Sequence, residues 1–159
     1  MDRLIEALEN RRLLSSGPLM NITLAAQGAD SVLTINNAAN VQLHEFVNSS
    51  GNSVHVTSNN GLTNHGFFDN VTKIVINGTN GNDAVRLDDA DIEAFISTYN
   101  GKDVIVVTNV AATVVTNPDL VTVDAGNGKD TILADTSGPG TITTVVLAKG
   151  KDTVEALFA

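Results

Sequence analysis

Apolar and polar side chains alternate in short stretches along most of the chain, which is the period-two pattern of a β-strand with one buried face. These stretches come in pairs, one on each side of a short turn rich in glycine and in acidic or amide residues. Each pair therefore predicts a strand, a turn and a second strand. The residues expected to point inward are Val54, Val56, Ile74, Ile76, Val85, Leu87, Ala94, Ile96, Ile105, Val107, Val121 and Val123.

The turns share a pattern in which glycine is followed two residues later by aspartate. Five copies match this pattern and a sixth has serine and asparagine in the two positions; they are Gly28-x-Asp30, Ser50-x-Asn52, Gly81-x-Asp83, Gly101-x-Asp103, Gly128-x-Asp130 and Gly150-x-Asp152. Successive copies lie 20 to 31 residues apart, which is the length of one solenoid coil. A unit with one buried face needs a neighbour, and stacking at about 4.8 Å pairs its backbone edges. We therefore expect an all-β parallel β-solenoid of about six coils, right-handed like other parallel crossovers.

The chemistry of the turns leads to three further expectations. Glycine is expected to supply a positive φ at each corner, and aspartate to accept a hydrogen bond from an amide of its own turn. Residues 61–70 and 88–91 are predicted to be loops in the longer coils, with Asp88 as the cap of a helical turn. Asparagines between the repeats, Asn36 and Asn77 among them, could stack as amide ladders.

The first 17 residues differ from the rest of the chain. Leu4, Ile5 and Leu8 share one face of a predicted amphipathic helix, which Gly17-Pro18 ends. We therefore divide the chain into an amino-terminal segment, 1–17, and a solenoid domain, 18–159. The helix is expected to cap an open end of the fold, and the alternative is an address or assembly tag.

Residues 8–15, LENRRLLS, resemble the LEPR-XLL motif, with Asn10 in place of the usual proline. That motif begins large, repeat-rich bacterial proteins that are secreted or held at the cell surface. The resemblance implies export and an extracellular or cell-surface location, and it implies no chemistry.

Two of the turns, residues 78–85 and 126–132, resemble the hemolysin-type nonapeptide repeat of RTX proteins. In that family, glycine-rich turns of adjacent coils supply carbonyl groups and aspartate carboxylates to a row of calcium ions. The resemblance makes five aspartates candidate calcium ligands. They are Asp30, Asp83, Asp103, Asp130 and Asp152. The chain departs from the family in having one such corner per coil instead of a repeat every nine residues.

Stacked aspartates about 4.8 Å apart would repel each other by roughly 1 kcal/mol in water, and by 3 to 4 kcal/mol at an effective dielectric constant of 20. Calcium could compensate this repulsion, because it prefers hard oxygen ligands. The lysines that precede the last three corners, Lys102, Lys129 and Lys151, offer a second explanation without metal. Both explanations stay open at this point.

Charge and composition narrow the function. A formal charge of −9 opposes binding to nucleic acid and to anionic membranes, and no apolar stretch is long enough to span a bilayer. The absence of cysteine excludes disulfides and thiol catalysis. The densest acidic cluster comprises Asp88, Asp89, Asp91 and Glu93. Paired carboxylates can hydrolyse sugars, but the chain lacks the length and the aromatic platforms of such enzymes, so we expect a solvated loop and no enzyme.

The last repeat runs directly into the end of the sequence. Val154, Leu157 and Phe158 are then expected to form an uncovered apolar surface, which a second copy could meet through Leu4, Ile5 and Leu8. The alternative is that Leu157 and Phe158 fold over their own end. The sequence therefore predicts a non-catalytic extracellular structural protein whose subunits stack head to tail into filaments. A calcium-binding, RTX-like surface or adhesion module is the second interpretation.

Overall fold

The computed structural model describes residues 19–48, 51–88, 92–108, 120–135 and 142–157, and this part of the chain contains strands but no helix. The predicted amino-terminal helix and the boundary at residue 17 lie outside the described residues. The strands are β1 (Asn21–Gln27), β2 (Asp30–Asn36), β3 (Asn40–Asn48), β4 (Gly51–Ser58), β5 (Thr63–Asp69), β6 (Lys73–Asn77), β7 (Ala84–Asp88), β8 (Glu93–Ser97), β9 (Asn100–Gly101), β10 (Val104–Thr108), β11 (Leu120–Asp124), β12 (Asn127–Gly128), β13 (Thr131–Asp135), β14 (Ile142–Val146) and β15 (Thr153–Leu157).

Most strands belong to two sheets. Sheet A has the order β1-β2-β6-β8-β11-β14, and sheet B has the order β15-β13-β10-β7-β3-β4-β5. From β2 onward the chain passes repeatedly from sheet A to sheet B. Strands β6, β8, β11 and β14 in sheet A and strands β7, β10, β13 and β15 in sheet B each pair in parallel with an earlier strand of the same sheet. We call one strand of sheet A and its successor in sheet B a layer. The prediction of an all-β fold with parallel strands is therefore confirmed.

The core consists of the inward-facing side chains of both sheets. All twelve residues predicted to point inward are buried, with at most 2% of their surface exposed. The alternation is visible in β6, where Ile74 and Ile76 are buried while Lys73, Val75 and Asn77 are half-buried on the other face. Valine and isoleucine suit this arrangement because their branched side chains pack well on a pleated surface.

The first end of the fold is built differently. Strand β1 pairs antiparallel with β2, and β3, β4 and β5 form an antiparallel meander. The predicted corners at Asp30 and Asn52 are therefore wrong, because both residues lie in antiparallel hairpins. Only Gly28 and Ala29 separate β1 from β2. Two residues can close a hairpin but cannot carry the chain across to a parallel position.

One predicted loop also differs from the structure. Most of the predicted loop at 61–70 is strand β5, which follows a tight turn at Asn59, Asn60 and Gly61 with φ of 53°, 56° and 83°. Asp88 ends strand β7, and the rest of the loop predicted at 88–91, with its helical turn, lies outside the described residues. No helix in the part of the chain described by the structure is long and apolar enough to cross a membrane.

Candidate functional site

Four of the predicted corner aspartates stand above one another at one corner of the two sheets. Each immediately precedes a strand of sheet B, and the first residues of those strands are in register with one another. We call this set the corner column. It consists of Asp83, Asp103, Asp130 and Asp152, together with the glycines two residues before them, Gly81, Gly101, Gly128 and Gly150.

Hydrogen bonds between layers connect the aspartates. Asp103 Oδ1 accepts the backbone N–H of Asp83 at 2.9 Å, and Asp130 Oδ1 accepts that of Asp103 at 2.9 Å. Asp152 Oδ1 continues the ladder by accepting the N–H of Asp130 at 3.1 Å. Each of these three carboxylates therefore reaches back to the preceding layer, whereas the sequence predicted that it would close its own turn.

Asp83 stands at the beginning of the ladder and behaves as predicted. Its Oδ2 accepts the N–H of Thr79 at 2.7 Å, and its Oδ1 accepts the Thr79 hydroxyl at 2.7 Å. The preceding layer has no copy of the motif. Ala39 stands there in the position of the aspartate, and its carbonyl accepts the N–H of Ala84. The carboxylate of Asp83 therefore binds Thr79 of its own turn, since the preceding layer has no aspartate for it to continue the ladder to.

The corner glycines are required for a different reason from the predicted one. Of the four, only Gly101 has a positive φ, of 156°. A Cβ on Gly128 would overlap the carbonyl oxygen of Gly101, and the same overlap arises between Gly101 and Gly81 and between Gly150 and Gly128. The glycines therefore permit close approach between layers. Gly81 is the exception, since the nearest atom to its added Cβ is Thr79 Oγ1 at 3.4 Å.

Amide ladders run beside the corner column. Asn100 Nδ2 donates to Asn80 Oδ1 at 2.8 Å, and Asn127 Nδ2 donates to Asn100 Oδ1 at 3.1 Å. The amide stacking predicted for Asn36 and Asn77 is confirmed by a hydrogen bond of 2.9 Å. Sequence reasoning missed the first ladder, although each of its three asparagines directly precedes a corner glycine.

The carboxyl groups of the corner column are poorly hydrated. Asp83, Asp103 and Asp130 are buried, and Oδ2 of both Asp103 and Asp130 has no hydrogen-bond partner. Burial raises the pKa of Asp103, while the N–H of Asp83 and the hydroxyl of Thr98 act in the opposite direction. Burial likewise raises the pKa of Asp130, with repulsion from the neighbouring aspartates adding to it. These two oxygens are therefore buried polar atoms of the column without a partner among the described groups.

The three lysines of the corners form no close ion pair with the aspartates among the described residues. Lys102, Lys129 and Lys151 are exposed. The ion pairs within 4 Å include Lys73–Glu93 at 3.3 Å and Arg86–Asp88 at 2.7 Å, and neither of these involves the corner column. Longer-range attraction between the lysines and the stacked aspartates stays a prediction.

The described side chains alone do not fit a calcium cage. They include no group of three or more histidine or carboxylate side chains arranged to hold a metal ion. Three of the four Oδ1 atoms of the corner column already accept backbone N–H groups, which leaves few carboxylate oxygens for calcium, an ion that takes six to eight oxygen ligands. Asp30 lies apart from the column and accepts the hydroxyl of Thr72 at 3.3 Å.

The last layer, β14 and β15, exposes side chains that its predecessor buries. Val154 is in register with Ile132, which is fully buried, yet 43% of Val154 is exposed. Ala156 is likewise exposed, although its register partner Ala134 is buried. Of the other predicted assembly residues, Leu157 ends β15 and its side chain is not described, while Leu4, Ile5, Leu8 and Phe158 lie outside the described residues.

Comparison of the chain with protein-family models, with curated proteins and with solved structures finds no significant match.

Proposed function

We propose that this chain is a right-handed β-solenoid that acts as a non-catalytic structural protein at the cell surface or in the extracellular space, its subunits joining end to end. The observation that carries the proposal is the uncovered last layer. Strands β14 and β15 are edge strands, and the side chains that point inward from them face no further layer among the described residues. An unpaired backbone edge above apolar side chains recruits another chain.

The stacked layers support a rod-like role. Backbone pairing, the aspartate ladder and the amide ladders all run in the same direction, from layer to layer. Repeats of this kind contact mainly their neighbours, so a stack lengthens without changing its cross-section.

The buried corner supports a structural role for its carboxylates. Asp83, Asp103 and Asp130 have at most 2% of their surface exposed, and one oxygen of each accepts a backbone N–H. Carboxylates that bind backbone amides inside a stack hold layers together and do not reach a substrate. The extracellular location rests on the resemblance of residues 8–15 to the LEPR-XLL motif.

A head-to-tail joint would place the last layer of one subunit on the first end of the next. That end also carries edge strands, β1 in sheet A and β5 in sheet B. A contact of this heterologous kind repeats indefinitely and gives a filament.

The experiment is sedimentation velocity of the full chain over a wide concentration range, with negative-stain images of the same samples. We expect concentration-dependent assembly that Val154→Lys abolishes. Val104→Lys is the matched control, because Val104 is 45% exposed but lies on the outer face of β10. A monomer at every concentration, or equal assembly by the Val154→Lys variant, would contradict the proposal.

Calcium binding by an RTX-like surface module is the second candidate. The unpartnered Oδ2 atoms of Asp103 and Asp130 favour it, because a bound cation would compensate them. Its test is the melting temperature with calcium and with a chelator, for the wild type and for Asp130→Asn. A rise with calcium that the variant loses supports this candidate, and no shift in the wild type excludes it.

A further inference from the structure

A shallow pocket of about 160 Å³ lies on the outer face of sheet B, next to the corner column and away from the last layer. Its floor is apolar and its rim carries amide and guanidinium groups. The floor includes Ala84, Val104 and Val106, and the rim includes Gln42, Asn60 and Arg86. An apolar surface with a few convergent polar groups is the usual form of a small-molecule site.

The turn between β4 and β5 forms one wall and is held in place. Asn60 donates its N–H to Asn40 Oδ1 at 3.3 Å, and the side chain of Asn40 donates back to Asn60 Oδ1 at 3.4 Å. Three successive residues of this turn, Asn59 to Gly61, have left-handed backbone conformations. Asparagine and glycine adopt such conformations more readily than other residues, so the sequence of the turn suits its shape. The amide of Asn60 is therefore positioned before any ligand arrives.

The electrostatics of the pocket favour a neutral ligand. The guanidinium of Arg86 is paired with the carboxylate of Asp88, with Nε and Oδ2 2.7 Å apart, so its charge is already balanced. The chain as a whole carries a formal charge of −9 and repels anions. The side-chain amides of Gln42 and Asn60 each donate and accept hydrogen bonds, as neighbouring hydroxyl groups do.

Size and shape narrow the ligand further. The pocket is shallow and has a volume of about 160 Å³, so it can seat one face of a single ring but cannot enclose a larger ligand. A pyranose sugar presents C–H groups on one face, which suit the valine floor, and hydroxyl groups at its edge, which suit the amide rim. We propose that this pocket binds one neutral pyranose residue, either a free sugar or the end of a glycan. The proposal does not depend on the assembly described above, because the pocket lies on the side of the stack.

The test is ¹H–¹⁵N NMR of the full chain titrated with methyl pyranosides of glucose, galactose, mannose and N-acetylglucosamine. We expect at least one of them to shift the side-chain amide signals of Gln42 and Asn60. Val104→Trp fills the floor and should weaken this binding by at least about tenfold. Val146→Trp is the control, because Val146 is 48% exposed on the outer face of β14 in the other sheet.

Further titrations decide the source and the charge of the ligand. A tetrasaccharide with the same terminal sugar should bind more tightly if the natural ligand is a glycan end, and equally if it is a free sugar. The variant Gln42→Ala provides a second test that does not fill the pocket, and it should also weaken binding. If no methyl pyranoside shifts the side-chain amide signals of Gln42 and Asn60, the proposal is overturned. Displacement of the sugar by inorganic phosphate also overturns it, because it would define an anion site.

Discussion

The layer of β11 and β13 and the last layer of β14 and β15 carry the same pattern of residues, yet they differ in burial. Ile132 is fully buried, and Val154, one layer further, is 43% exposed. The N–H of Asp130 is bound by Asp152, whereas the N–H of Asp152 has no acceptor among the described residues. The comparison shows that pattern decides which way a side chain points, while the next layer decides whether it is buried.

The largest effect is expected at the glycines that touch the next layer. Gly128→Ala would drive a Cβ into the carbonyl oxygen of Gly101, so the backbone of one layer must shift. We expect it to lower the free energy of unfolding by about 4 kcal/mol or to prevent folding. Gly81→Ala is the matched control, since its Cβ would meet only Thr79 Oγ1 at 3.4 Å, and it should cost less than about 1 kcal/mol. Urea unfolding followed by circular dichroism measures both, and equal losses would refute the role of close approach.

The next-largest effect is expected when valine is replaced by alanine in an inner layer and in the last layer, because the loss of stability should differ between the two. Val107→Ala removes two methyl groups from a fully buried site in β10 and should cost about 2 kcal/mol. Val154→Ala should cost less than half of that in the monomer, because its side chain is already partly in water. If the assembly proposal holds, Val154→Ala also weakens association. Similar losses in dilute, monomeric samples would mean that the last layer is covered.

The aspartate ladder allows a smaller and more chemical test. Asp130→Ala leaves the buried N–H of Asp103 without an acceptor, which should cost about 1 to 3 kcal/mol. Asp130→Asn keeps an acceptor oxygen and removes a buried charge, so we expect its stability at neutral pH to equal or exceed that of the wild type. Equal destabilisation by both variants would show that the charge of Asp130 is needed, as in a metal site.

The dependence of stability on pH should be the weakest effect. Burial raises the pKa of Asp103 and Asp130 in the folded state. Their contribution to stability is therefore complete below the unfolded-state pKa and is lost as the pH rises through the folded-state pKa. Asp88 acts in the opposite sense. Burial raises its pKa, but the hydrogen bonds from Arg86 and Thr108 outweigh burial and lower it, so its contribution is lost as the pH falls through that value.

Urea unfolding at a series of pH values separates these contributions. Between about pH 4 and pH 7, the double variant Asp103→Asn, Asp130→Asn should gain stability relative to the wild type. A difference between the two proteins that does not change with pH would contradict the raised pKa values.

The sequence predicted the inward faces of the strands and the four stacked corners because both have local signals. Period-two alternation marks Ile105 and Val107, and the glycine–aspartate spacing marks Asp103. The hairpin at Gly28 carries the same spacing, so the motif alone could not separate it from a corner. Only two residues separate its strands, and this short connection was the available signal for a hairpin.

Long-range pairing explains what the sequence could not predict. Whether Asp130 binds its own turn or the preceding layer depends on how closely two layers approach, and this distance is not encoded within one turn. His55 is a second case, because no motif in the sequence marks it for a contact. Strand pairing brings its ring to 4.3 Å from that of Phe67, in a stacked arrangement. The pocket on sheet B likewise combines residues from three strands and a turn.

The most direct test of the stacked account is amide hydrogen exchange measured residue by residue by NMR. The account predicts slow exchange at Asp83, Asp103 and Asp130, whose N–H groups are held by the next aspartate. It predicts fast exchange at Asp152 in dilute samples, slowing at concentrations where subunits join. Fast exchange at all four aspartates, or slow exchange at Asp152 in a proven monomer, would contradict it.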